Sequence, residues 1–204
     1  MKQDIEAPLD YYAWVGLLTS GMLLCVIAPD FVTNAVQGKL NIALLTQSIQ
    51  QKTKQVKAVA SDLTALRTAI IGQESGGDPH VVNAIGATGL AQVMPENIPV
   101  WTEEALGRSL TPEQFRLDKT VQLKVIDHKL GKYLEEARKV TPDPAIAVKR
   151  VAAKWYSGDP SLFTNTRPQL LGPSIADYSS SVLNRYEAIQ QTELKRNQGG
   201  SASY

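Results

Sequence analysis

Glu74-Ser75-Gly76-Gly77-Asp78-Pro79, with its continuation Gly89-Leu90-Ala91-Gln92-Val93-Met94-Pro95, is the stretch whose reading decides the fold. An apolar helical pattern (Leu63, Leu66, Ile70, then Gln73 and Glu74) runs into the first segment and stops at a double glycine. Glycine is the usual residue at a helix C-terminus. A carboxylate in the last turn of such a helix is disfavoured on two counts. The helix end carries partial negative charge, and the apolar neighbours Leu66, Ala69, Ile70 and Ile71 withhold solvent from the ionised form. Both effects raise the pKa of Glu74 toward the range where a carboxylic acid donates a proton near neutral pH. A solvent-facing glutamate at a frayed helix end is the plain alternative on this stretch alone.

Toward the N-terminus, Ser61 or Asp62 is placed to cap this helix. Residues 30–60 are rich in glutamine and lysine, with a thin apolar stripe at Leu40, Leu44 and Ile49. They read as a helical stalk with a solvated face. Residues 11–29 hold an uncharged apolar run, about as long as a bilayer core requires. Tyr11, Tyr12 and Trp14 at one end and Phe31 at the other resemble interfacial aromatics. This run is read as a transmembrane anchor rather than a signal peptide or a core helix. The tail before it, residues 1–10, is acidic-leaning, whereas a signal peptide starts basic.

Toward the C-terminus, residues 76–88 read as a loop with a minimal strand pair near Val81-Val82. Thr88 is a candidate cap for a short helix through Met94, and another helix follows from Pro95 to Leu106. Thr111-Pro112 opens a further turn with proline at its first position. Asp118 to Val140 is the clearest long helix, with Val121, Leu123, Ile126, Leu130 and Leu134 as its apolar stripe. Helices from Pro144 to Tyr156 and from Ser174 to about Lys195 complete the set, separated by a loop from Asp159 to Pro173. Residues 191–204 are assigned to a flexible tail. The expected architecture is mainly α, with a globular helical domain at residues 61–190.

The chain has 204 residues and a net charge of +1, which argues against a nucleic-acid binder. One cysteine, Cys25, excludes a disulfide framework and reads as a small hydrophobe. With two histidines, His80 and His128, a multi-histidine metal site is not expected, and no cofactor is implied. Trp101 and Trp155 could stack on sugars, but they read first as core aromatics. Asp78 reads as a turn residue before Pro79.

The order of four motifs carries a resemblance. Glu74-Ser75 comes first, then Gly86-Ala87-Thr88-Gly89-Leu90-Ala91-Gln92-Val93-Met94-Pro95. After the long helix come Ala152-Ala153-Lys154-Trp155-Tyr156-Ser157-Gly158 and Tyr178 with Val182-Leu183. Over residues 61 to 188 this resembles the soluble-lytic-transglycosylase-like (SLT) family, whose members have a lysozyme-like (goose-type) fold and cleave peptidoglycan. The resemblance implies Glu74 as the catalytic acid/base. It implies Ser75 as the neighbouring serine that positions sugar or acid, and Gln92 and Met94 as groove residues. Ala91 stands where the family often has methionine, which implies a slightly wider groove. Tyr178 matches a tyrosine whose hydroxyl points at the glutamate. Tyr156 stands where the family usually has asparagine, within Ala-Tyr-Asn-Ala-Gly. The Trp-Tyr-Ser-Gly version is similar to that of phage-associated members.

What the resemblance implies for function is a lytic transglycosylase. Glycoside hydrolysis uses two carboxylates, whereas this reaction needs one. Peptidoglycan glycan strands are then the partner, with the membrane engaged through residues 11–29. The expected location is the inner membrane, single pass, with the catalytic domain on the periplasmic face. Two alternatives stand beside it. One is a goose-type hydrolytic lysozyme. The other is a component of a phage virion or a secretion apparatus that uses the domain for local wall penetration.

Overall fold

The computed structural model describes residues 29–170 and 172–199. The apolar run at residues 11–28, with Cys25, Tyr11, Tyr12 and Trp14, lies outside them, as do residues 200–204. The chain divides into two compact units, Met1–Gln51 and Lys52–Tyr204.

The first helix, α1, spans Pro29–Glu74. No glycine or proline occurs between Lys39 and Ile71, so nothing in the chain interrupts it. The cap expected at Ser61 or Asp62 is therefore not a helix start. Asp62 instead accepts hydrogen bonds from Tyr186 (3.1 Å) and Gln190 (2.8 Å) and pairs with Arg138. Ser61 donates to Glu193 (2.7 Å). In the first unit, α1 exposes Ile42, Leu44, Leu45 and Ile49. Among the described residues, no helix is long and apolar enough to cross a membrane.

The second unit continues with α2 (Asn97–Leu106), α3 (Pro112–Leu117), α4 (Lys119–Val140) and α5 (Pro144–Ser157). A 3-10 turn (Pro160–Thr164) and α6 (Ile175–Gly199) complete it. Local chemistry sets most of these boundaries. Thr111 and Gln114 form a capping box around Pro112. Asp118 accepts from Val121 N, and Asp143 accepts from Ala145 N and Ile146 N. Helix α6 runs on to Gly199, past residue 190, where the sequence predicts a tail.

One part of the chain departs from the predicted helices. Thr88 caps nothing. Its backbone exchanges two hydrogen bonds with Val93, each 2.9 Å, and Val82 bridges to Thr88 on the other side. Gly86 and Gly89, both at positive φ, turn the chain back on itself here and prevent a helical register.

The core lies in two clusters. The larger joins Leu66, Ala69 and Ile70 of α1 to Ile126 and Leu130 of α4, Val148 and Val151 of α5, and Tyr178 and Val182 of α6. The smaller joins Val93, Ile98 and Phe115 to Val121 and Val125 of α4. Trp155 packs against both. The end of α1 is thus held from three sides, and Glu74 sits at the rim of the larger cluster.

Candidate active site

Glu74 is the last residue of α1. Together with Asn83, Ala84, Ile85, Ala87, Gln92, Met94, Trp155 and Tyr156 it lines a cavity of about 360 Å³. No other carboxylate and no basic side chain is among these lining residues. Burial pushes the Glu74 carboxyl above the usual range. A hydrogen bond received from the Tyr178 hydroxyl (2.5 Å, to Oε1) pulls in the opposite direction and is the smaller influence. Tyr178 is itself buried, and its phenol is held well above its ordinary value, first by burial and then by the Glu74 charge. It therefore stays a hydrogen-bond donor at working pH. Tyr178 arrives from α6, whose start is fixed by Ser174 Oγ. That oxygen accepts from Asp177 N (3.1 Å) and donates to Asp177 Oδ2 (2.6 Å).

The facing wall is the Gly89–Val93 segment. Gln92 has φ 48°, a left-handed conformation that a side chain of this kind seldom adopts. Its amide nitrogen donates to Val81 O (3.3 Å) and Gly89 O (3.1 Å). Both amide hydrogens are thereby committed, and Oε1 remains as an acceptor for a hydroxyl or amide donor of a ligand. The segment is fixed from behind by Gln122, which is 0 % exposed. Gln122 Oε1 accepts from Leu90 N (2.8 Å). Its Nε2 donates to Pro79 O (2.9 Å), Arg116 O (3.1 Å) and Phe115 O (3.2 Å). A Cβ at Gly89 would sit 2.3 Å from Gln122 Oε1, so only glycine allows this approach.

Ser75 is turned to structure. Its hydroxyl donates to Leu90 O (2.6 Å) and accepts from Gly77 N (3.1 Å), tying the end of α1 to the facing wall. Met94 and Tyr156 line the cavity beside Glu74. Asp78 accepts from His80 N (2.8 Å) in a turn and is not a lining residue. His128 lies 4.0 Å from Glu104, a residue that also pairs with Lys129 (2.9 Å). Among the described residues, no group of three or more metal-ligating side chains occurs.

Two residues of the site, Asn83 and Gln122, are not anticipated from the sequence, and a third, Trp155, is read there first as core. Asn83 lines the cavity, and its Oδ1 accepts from Ile85 N (3.0 Å) and Ala87 N (2.9 Å). Trp155 is expected in the core, but it also lines the cavity, with its indole N–H donating to Ala91 O (3.2 Å). Gln122 is hidden inside the apolar pattern of α4. Its only signal is a polar residue in the register Val121, Gln122, Val125, Ile126.

The arrangement suits proton transfer: one partly buried carboxyl lines a cavity with hydrogen-bonding and aromatic walls, and a tyrosine hydroxyl donates to one of its oxygens. The family model of the transglycosylase SLT domain matches residues 48–116, which include Glu74 and Gln92. Tyr156 and Tyr178 lie beyond that span. No curated protein matches the chain. Residues 48–116 thus match the transglycosylase SLT domain, which is consistent with a lysozyme-like family that acts on peptidoglycan.

Proposed function

We propose that the protein is a peptidoglycan lytic transglycosylase in which Glu74 serves first as acid and then as base. The observation that carries this reading is the lone carboxylate. Glu74 is raised by burial, held by Tyr178, and lines the cavity with no second carboxylate beside it. Protonated Glu74 would give its proton to the oxygen bridging N-acetylmuramic acid and N-acetylglucosamine as the bond to C1 breaks. An oxocarbenium-like centre develops at C1, steadied by the substrate's own N-acetyl group, as in the family. The Glu74 carboxylate would then accept the proton of the muramoyl C6 hydroxyl while O6 bonds to C1. The products are a 1,6-anhydromuramoyl end and a free 4-hydroxyl, with no water consumed and Glu74 reprotonated.

Gln92 Oε1 and the Asn83 side chain supply polar contacts for the sugars, and Trp155 an aromatic wall. Ser75 supports the acid through Leu90. Residues 11–29 would anchor the enzyme in the inner membrane, with the domain on the outer face where its substrate lies.

Mass analysis of muropeptides after digestion of purified sacculi tests the reaction. Anhydro ends, one water lighter than hydrolysed ends, are expected. Reducing ends would assign the protein to the hydrolytic lysozymes instead. Glu74→Gln is expected to lower the rate by about a hundredfold to ten-thousandfold, the usual range for a general acid/base. Full activity in a folded Glu74→Gln protein would remove Glu74 from the mechanism.

A further inference from the structure

We propose that Tyr156 is a positioning residue that couples the acid Glu74 to the start of α6, so that one side chain sets this wall of the site. The inference rests on the reading of Glu74 as acid/base and adds to it a residue that acts on the acid through Tyr178. The Tyr156 ring lies parallel to the ring of Tyr178, with centroids 4.4 Å apart and planes 10° apart. Tyr178 is the residue whose hydroxyl donates to Glu74 Oε1. The Tyr156 hydroxyl meanwhile donates to Pro173 O (3.1 Å), one residue before the serine that caps the Tyr178 turn.

Tyr156 therefore grips the first turn of α6 at two points, at its entry through the hydroxyl and at Tyr178 through the ring. Gly172 makes room for this. It has φ 115°, and a Cβ there would lie 2.5 Å from Tyr156 Oη. A short side chain such as asparagine could not cover the Tyr178 ring and reach Pro173 together.

The surroundings of Glu74 make the coupling readable. From α6 the titratable group facing it is Tyr178, and from α5 it is Tyr156. Arg185, on α6, donates to Gln73 Oε1 (3.2 Å), and Ser181 donates to the same oxygen (2.7 Å). No basic side chain is among the residues lining the cavity. Burial is the main influence on the acid, and Tyr156, stacked on Tyr178, lines the same cavity.

The test uses the full chain with Tyr156→Phe, which keeps the ring, and Tyr156→Asn, which keeps neither ring nor hydroxyl. Two readouts need no substrate. One is the titration of the Glu74 carboxyl, followed by carbon NMR. The other is amide hydrogen exchange of Asp177 and Tyr178. Tyr156→Phe is expected to speed that exchange about fivefold, the factor for losing one ordinary hydrogen bond, and to leave the Glu74 titration where it is. Tyr156→Asn is expected to speed exchange at least as much. It should also move the Glu74 titration down toward the ordinary carboxylate range, because burial outweighs the Tyr178 bond.

The upper limb of the pH–activity profile should move down with it. An unchanged Glu74 titration in Tyr156→Asn, or unchanged exchange in Tyr156→Phe, overturns the proposal. If Tyr156→Asn fails to fold, the exchange result of Tyr156→Phe decides alone. A wild-type chain that cleaves no peptidoglycan would refute the transglycosylase reading, and the two substrate-free readouts would still judge this one.

Discussion

Two walls flank Glu74, and they are held in different ways. The Gly89–Val93 wall is wired backbone to side chain through Gln122, with Leu90 and Val93 each 2 % exposed and Gln122 itself 0 %. The tyrosine wall is built from side-chain hydroxyls and a ring stack, with Tyr156 only partly covered. The first wall joins backbone groups to one fully buried side chain, so its hydrogen bonds contribute mainly to stability. The second touches the acid directly, so its contacts contribute mainly to where Glu74 holds its proton.

The sharpest way to break this comparison is Gln122→Leu. It strips the partners from Leu90 N and from the carbonyls of Pro79, Phe115 and Arg116. Urea denaturation should show a loss of about 3–5 kcal/mol, the range for breaking a buried polar network. A loss under about 1 kcal/mol would mean that the buried wall is no more dependent on its wiring than a surface loop is.

Tyr178→Phe probes the other wall and should act on rate and pH rather than on the fold. The hydroxyl lowers the Glu74 pKa, so its removal raises that pKa further. The upper limb of the pH–activity profile then moves to higher pH, with the rate down by about tenfold, as for one lost charge-assisted hydrogen bond. A downward shift of that limb would contradict the proposed part of Tyr178.

Glu74→Gln gives a smaller and opposite effect on stability. A carboxyl whose folded pKa is raised favours the native state below its unfolded pKa and loses that contribution as pH rises through the folded value. At pH 7 the glutamine variant should therefore be more stable, by about 1 kcal/mol or roughly 3 °C in Tm. The gain should vanish as the pH falls through the titration of Glu74. Calorimetry across pH checks it, and a constant difference would show that ionisation is not its source.

Thr111→Ala should cost about 1 kcal/mol through the lost capping box of α3 and leave the pH profile alone. A moved profile would mean that the far end of the Gln122 network also reaches the acid.

Legibility in the sequence followed the range of the forces involved. The end of α1 at Glu74, the start of α3 at Thr111-Pro112 and the helical period of α4 depend on neighbours a few residues apart, and the chain announces them. The Thr88 segment was legible in part: the strand pair expected near Val81-Val82 is the Val82–Thr88 bridge, but the bridge from Thr88 to Val93 stands where a helix was expected. Its partners, Val82 and Val93, are chosen by turns at Gly86 and Gly89 rather than by an apolar period. Asp62 looked like a cap because its side chain can serve as one. Its partners on α4 and α6 are more than seventy residues away.

By itself, then, the sequence determined a mainly helical chain with a carboxylate stranded at the end of an apolar helix, since propensity, capping and burial period are local. Only the tertiary structure decided which groups meet that carboxylate. Tyr178 reaches it from α6, as the resemblance implies, Tyr156 stacks on Tyr178 from α5, and Gln122 reaches the facing wall by crossing the core. Those meetings follow from packing, in which most buried polar atoms find a partner, some of them across the core.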